Sequence, residues 1–110
     1  MKQKYFYEHL IRTEEIIIDL GELDLSAPER LELLSLVEAN IHSTVIKLVL
    51  SELPEKEKKL FLANLLANDN DKIWIHLWNN TENIEDKIFR EVKILIDSLR
   101  EDIKTAKGSK

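Results

Sequence analysis

The chain has 110 residues, of which 44% are apolar and 34% are charged, with a formal net charge of −5 and no cysteine. These values predict one globular domain and exclude disulfides, thiolate metal sites and cysteine nucleophiles. They also argue against nucleic acid as a partner, because proteins that bind this polyanion usually carry a basic face. Two glycines and two prolines are too few for the many tight turns of an all-β domain, so the composition predicts an all-α fold over residues 1–110.

The first predicted helix spans residues 3–20. Phe6, Leu10 and Ile17 recur at helical spacing, with further isoleucines beside them. Gly21 follows the last apolar position, and glycine readily takes the left-handed conformation that closes a helix. We therefore expect the helix to end there, with Gly21 in that conformation.

A second helix, predicted for residues 27–52, has a clear N-terminal signal. Ser26 and Glu29 form a capping-box pattern, in which each side chain accepts a hydrogen bond from the other residue's backbone N–H. Pro28 falls in the first turn, where its missing N–H costs nothing. Apolar residues cover more than one side of this helix, which predicts a central helix contacted by several others. They are Leu33, Leu34, Leu36, Val37, Ile41, Val45, Ile46, Leu48, Val49 and Leu50.

Two shorter helices are predicted next. Pro54 ends the second helix, because the residue before a proline avoids the α region, and it opens a third helix at 54–67. The apolar run 73–78 follows a cluster of capping residues and is compatible with a strand or a short helix. We favour the helix, because a single strand would find no partner elsewhere in the chain. The buried side of the third helix is expected to consist of Leu60, Phe61, Ala63, Leu65 and Leu66.

The last helix, predicted for residues 83–107 with Thr81 or Asn83 as its cap, has the most regular pattern. The chain is thus expected to form four or five helices in a compact bundle-like arrangement, with the long helices 27–52 and 83–107 packed together. Apolar residues of the last helix recur at spacings of three and four in a heptad seam: Phe89, Val92, Ile96, Leu99, Ile103 and Ala106. A second stripe consists of Ile84, Ile88 and Leu95.

The three histidines are the candidates for chemistry. Glu38 and His42 share a helix face, but a metal site needs further convergent ligands, and bundle metal sites repeat Glu-x-x-His on two helices. His9 has no partner nearby in sequence, and His76 lacks the positioned nucleophile or carboxylate that a catalytic histidine requires. We therefore predict no catalytic residue, cofactor or metal. The alternative is an enzyme or metal-binding protein whose site is assembled in space from Glu38, His42, His9 and His76.

Trp74 and Trp78 are the candidates for an interface. Tryptophan is enriched at interface hot spots, but both rings can equally pack in the core around the short helix. The seam of the last helix has the same two interpretations, since it faces either helix 27–52 or a second chain. The leading hypothesis is a non-enzymatic module that binds protein, either another copy of itself or a different chain. Its possible interface residues are Trp74, Trp78, Phe89, Ile96 and Ile103.

The order of these segments resembles a family of small bacterial all-helical proteins of uncharacterised function, over about residues 10–103. The features that carry the resemblance are a first helix ending at Leu20-Gly21, the segment Leu23–Arg30, a long helix with Ile41 and Val45, the segment Leu53–Lys58, a short helix after Asp69–Asp71 and a charged last helix. The tryptophan-containing segment 73–78 departs from the aliphatic and phenylalanine residues of the family. The resemblance implies an all-helical fold and a bacterial source, and it transfers no functional residue.

The N-terminal residues bear on location. They lack the apolar run and the small-residue cleavage site of a signal peptide. We expect no apolar stretch to approach the roughly 18 residues that a membrane span needs. We therefore expect a cytoplasmic protein without a membrane partner.

Overall fold

The fold is all-α, as the composition predicts. A computed structural model describes residues 5–11 and 14–108, and no strand is found in these two ranges. A single 3-10 turn, Glu8–Leu10, precedes the α-helices. The helices are α1 (Glu14–Gly21), α2 (Ala27–Glu52), α3 (Glu55–Leu66), α4 (Asn70–Asn80) and α5 (Ile84–Gly108).

The N-terminal segment is not the continuous helix predicted for residues 3–20. Ile11 is extended, with φ −120° and ψ 136°, so the 3-10 turn before it does not run into α1. The Phe6 carbonyl, which in a continuous helix would accept the Leu10 N–H, instead accepts the Trp74 Nε1–H. The Leu10 N–H donates to the Tyr7 carbonyl, and the Phe6 and Tyr7 side chains are both buried in the core. Residues 3, 4, 12 and 13 of the prediction lie outside the described residues.

The predicted end of the first helix is half right. Gly21 is its last residue, but Gly21 does not take the left-handed conformation, since no described glycine has a positive φ. The helix ends instead in hydrogen bonds that the backbone N–H of Glu22 donates to the carbonyls of Ile18 and Asp19. Such bonds satisfy the last carbonyls of a helix without a glycine in a special conformation.

The predicted start of α2 is confirmed. The Glu29 N–H donates to Ser26 Oγ at 3.3 Å, and the Ser26 N–H donates to Glu29 Oε1 at 2.9 Å. These bonds to Ser26 lower the pKa of the Glu29 carboxyl, because they favour its charged form. The helix ends at Glu52 as predicted, immediately before Leu53 and Pro54.

The two long helices pack along each other, each with residues spaced by four. The buried row of α2 consists of Val37, Ile41, Val45 and Val49, and that of α5 consists of Ile84, Ile88, Val92 and Ile96. The heptad seam of α5 is therefore only partly right. Phe89 is 52% exposed, and its place in the core is taken by the stripe that begins at Ile84. The Ala106 side chain lies outside the described residues.

The apolar surface is larger than predicted on α2 and α3. On α2 only one row of residues is buried, and Leu31 and Leu36 are exposed, so this helix is not surrounded on all sides. On α3, Phe61 alone is buried, because this helix packs chiefly against α4. The predicted core residues Leu60 and Leu66 are both exposed.

The short helix predicted after residue 71 is confirmed as α4, which the Asp69 side chain caps by accepting the Lys72 N–H at 3.2 Å. Thr81 serves this helix and not the next one, since its hydroxyl donates to the Leu77 carbonyl at 2.6 Å. Asn83 directly precedes α5 with φ 52°, a left-handed conformation that asparagine tolerates well.

Helix α2 changes one expectation about membranes. It is long and apolar enough to cross a membrane by length and composition, with a mean hydropathy of 1.4 over an 18-residue window. The expectation that no stretch of the chain approaches this limit is therefore wrong. Core helices of globular domains can meet the same criteria, and one row of α2 packs in the core, although only 22% of the apolar window is buried.

Candidate functional site

The two tryptophans of α4 have different surroundings, since one is buried and the other is exposed. Trp74 is 8% exposed, and its Nε1–H donates to the Phe6 carbonyl at 2.9 Å. Trp78 is 56% exposed, and its Nε1–H donates to Glu85 Oε1 on α5 at 3.0 Å. The two rings stack with centroids 6.0 Å apart. Trp74 is thus a core residue, and Trp78 covers it from the outside.

Phe89 is linked to Trp78 through Glu85. It follows Glu85 by four residues on α5, and side chains at this spacing share one face of a helix about one turn apart. The hydrogen bond from Trp78 to Glu85 holds the indole at the start of that face. Trp78 and Phe89, each more than half exposed, therefore lie within about one helical turn of each other along α5.

A groove continues from Phe89 toward the middle of α5. Its volume is about 160 Å³, and its lining is mostly apolar. Leu10 and Ile11 form one wall. The other wall belongs to α5 and consists of Phe89, Val92, Lys93, Ile96 and Asp97. We call Trp78, Phe89 and this groove the aromatic face.

Of the five predicted interface residues, Phe89 and Ile96 line the groove together, and Trp78 is joined to the same helix through Glu85. Trp74 lies beneath the aromatic face in the core. Ile103 packs against the core and lies about 21 Å beyond Phe89 at 1.5 Å per residue, away from the groove. Leu10 and Ile11 were not predicted as part of the site, because only the extended backbone after the 3-10 turn brings them to α5.

The histidines of the alternative hypothesis are distributed among different partners. His42 Nδ1 and the Tyr7 hydroxyl are 2.9 Å apart, His76 Nε2 lies 3.0 Å from Glu57 Oε1, and the His9 ring lies edge-on to Trp74. Within the described ranges, no group of three or more His, Asp and Glu side chains is placed to hold a metal ion.

The Tyr7–His42 pair is a structural contact between the N-terminal segment and α2. Burial raises the pKa of the Tyr7 hydroxyl well above its ordinary value of 10.0, and the nearby Tyr5, Glu8 and Glu38 raise it further. Burial also lowers the pKa of His42 below 6.5. Both groups are therefore neutral near pH 7, and the fully buried Tyr7 offers no access to a substrate.

The His76–Glu57 pair joins α4 to α3. His76 is buried, and its Nδ1 has no hydrogen-bond partner among the described residues. With the proton on Nε2, the ring donates to the Glu57 carboxylate and leaves Nδ1 as a bare acceptor. The pair therefore fastens two helices and leaves no ring nitrogen facing solvent.

A second depression is polar and contains none of the four residues of the alternative hypothesis. It lies where α4 ends and α5 begins, near the end of α2, and an ion pair between Lys87 and Glu52 crosses it. Its lining is formed by Glu52, Asn79, Asn80, Thr81, Glu82 and Lys87. Of its three ionisable side chains, Glu52 and Lys87 pair with each other, and no histidine lies in its lining.

Comparison with known proteins adds no family or function. No family model, no curated protein and no solved structure matches the chain. The resemblance to small bacterial helical proteins stays a prediction.

Proposed function

We propose that this domain is a non-enzymatic interaction module that binds a protein chain through the aromatic face. The observation that carries the proposal is the exposed Phe89 at an apolar groove, with the exposed Trp78 hydrogen-bonded to Glu85 one turn earlier on the same helix. Burial of apolar surface favours association, and folding of this chain leaves much of both rings in water. Aromatic anchors next to a groove are typical of interface hot spots.

The charges around the aromatic face support a protein partner. Glu85, Lys93 and Asp97 border the apolar centre, and an apolar centre with a charged rim is the usual arrangement of a protein interface. The two carboxylates and the net charge of −5 disfavour phosphate backbones and anionic membranes. The proposal includes a cytoplasmic location and, from the resemblance, a bacterial source.

The proposal is tested by cross-linking inside the cells that produce the protein. A photoreactive amino acid is placed at Phe89 in one variant, at Trp78 in a second and at Ile94 in a third. Ile94 is a matched control, because it is 59% exposed on the same helix but lies five residues from Phe89, about 140° around the axis.

We expect protein adducts of the same mass from Phe89 and Trp78, with little product from Ile94. The proposal fails if neither aromatic position gives an adduct, or if the control gives the same products in the same yield. Far-ultraviolet circular dichroism of each purified variant checks that the helices are intact.

A further inference from the structure

We propose that the occupant of the aromatic face is a second copy of this chain, docked antiparallel about a two-fold axis that passes beside Phe89. This inference rests on the proposed function and names its partner. A two-fold interface requires a surface that is complementary to itself, so that each feature meets a different feature of the other copy. The aromatic face meets this requirement in shape and in charge.

Along α5, the Trp78 indole lies on one side of Phe89 and the groove on the other. The Trp78 ring is held at the level of Glu85, about 6 Å before Phe89 along α5. The groove spans Phe89 to Asp97, and its middle, near Lys93, lies about 6 Å after Phe89. A two-fold rotation at Phe89 exchanges these two levels. The indole of each copy then lies at the level of the other copy's groove.

Two opposite charges on α5 have the same spacing about Phe89. Glu85 lies four residues before Phe89, and Lys93 lies four residues after it. Residues four apart share a helix face, so both charges border the face that carries Phe89. The rotation therefore sets Glu85 of each copy opposite Lys93 of the other. Lys93 Nζ lies 3.6 Å from Asp97 Oδ2 of its own helix, but an exposed i,i+4 pair is weak, so Lys93 can turn to Glu85 of the other copy. Two opposite-charge contacts then form in one dimer, and they offset locally the repulsion between two chains of net charge −5.

The first test is the mass of the purified chain as a function of concentration. Sedimentation velocity from about 1 µM to about 1 mM covers the affinities of weak to moderate dimers. We expect the mass to rise from one chain to two. Phe89→Ser is expected to raise the dissociation constant at least about tenfold, as for a hot-spot residue. The exposed control Ile94→Ser is expected to leave it within about twofold. A single chain at every concentration overturns the inference.

The second test uses charge to recognise the register. Glu85→Lys and Lys93→Glu each place like charges opposite each other in a self-dimer, at two contacts. Each variant alone is therefore expected to dimerise about tenfold more weakly than the natural chain. Mixed together, the two variants present opposite charges at both contacts and are expected to form a 1:1 dimer. Two variants that dimerise as well alone as when mixed overturn the proposed arrangement.

A further control separates charge from the position of Trp78. Glu85→Gln keeps an acceptor for the Trp78 Nε1–H but removes the charge, so it is expected to weaken the dimer less than Glu85→Lys. A Glu85→Gln variant that dimerises as poorly as Glu85→Lys contradicts the charge argument.

The cross-linking experiment distinguishes failure of this inference from failure of the proposed function. The photoreactive group at Trp78 is introduced in unlabelled protein and mixed with ¹⁵N-labelled chain. Adducts between an unlabelled and a labelled chain, at peptides containing Lys93 or Ile96, support the two-fold dimer. A monomeric protein whose aromatic positions form adducts only with other proteins overturns the dimer but supports the module. Absence of any protein adduct overturns both.

Discussion

Two aromatic regions meet on α4, one closed and one open. In the closed region Phe6 lies edge-to-face with Trp74 and Phe61, at centroid distances of 5.4 and 5.9 Å, and all three rings are buried. In the open region Trp78 and Phe89 are more than half exposed. The Trp74 N–H donates to a backbone carbonyl of the core, whereas the Trp78 N–H donates to an exposed carboxylate.

The residue type does not explain why one region is closed and the other open, since each region contains one of the two tryptophans of α4. The N-terminal segment explains it. Phe6 contacts Trp74 and supplies the carbonyl that its indole N–H requires, and the chain then turns at Glu8–Leu10 toward α5. The N-terminal segment covers Trp74, whereas Trp78 stays exposed and is available to a partner.

The largest expected effect concerns the closed region. Trp74→Ala removes a buried ring and leaves the Phe6 carbonyl without its donor, so we expect a loss of about 3–5 kcal/mol in the free energy of unfolding. Trp78→Ala is expected to cost less than about 1 kcal/mol, because much of its surface is already in water. Urea denaturation followed by circular dichroism measures both, and equal losses would contradict the division into two regions.

A smaller effect is expected at the contact between the N-terminal segment and α2. Tyr7→Phe keeps the buried ring but removes the hydroxyl that meets His42 Nδ1, which is expected to cost about 1 kcal/mol. A double-mutant cycle with His42→Ala measures the coupling between the two side chains. A coupling energy near zero would show that the hydrogen bond does not hold the segment in place.

The same contact predicts a pH dependence. The folded-state pKa of His42 is lowered, so this group contributes stability above pH 6.5 that is lost as the pH falls below 6.5 through the folded-state pKa. The raised pKa of Tyr7 adds stability that is lost as the pH rises above 10.0. As the pH is lowered from 7 to 5, the free energy of unfolding should therefore fall less steeply for His42→Asn than for the natural chain. Identical slopes would rule out the His42 contribution.

The smallest effect on folding is expected in the open region. At low micromolar concentration, Phe89→Ser should change the free energy of unfolding by less than about 0.5 kcal/mol, since the side chain is half exposed and outside the core rows. Thermal unfolding of the natural chain and the variant at matched concentration tests this. A loss of several kcal/mol would place Phe89 in the core and remove it from the proposed interface.

Much of the fold was predictable because its signals are local. The capping box at Ser26, the proline at position 54 and the four-residue pairing within 73–78 each act over a few neighbouring residues. Such patterns set where α2, α3 and α4 begin or end, and they also predicted that two long helices pack together. They contain no information about which side of a helix another segment covers.

The candidate site depended on contacts between distant residues. The Trp74 Nε1–H donates to the Phe6 carbonyl, 68 positions away in the sequence. The groove exists because Leu10 and Ile11 meet α5. The pattern of α5 admitted two stripes, and the buried row combines them: Ile84 and Ile88 come from one and Val92 and Ile96 from the other, which leaves Phe89 exposed. Spacing along a chain indicates which residues share a helix face, so the helices follow from sequence. Burial depends on what lies across that face, and only the packed structure shows that Trp74 is covered and Trp78 is open.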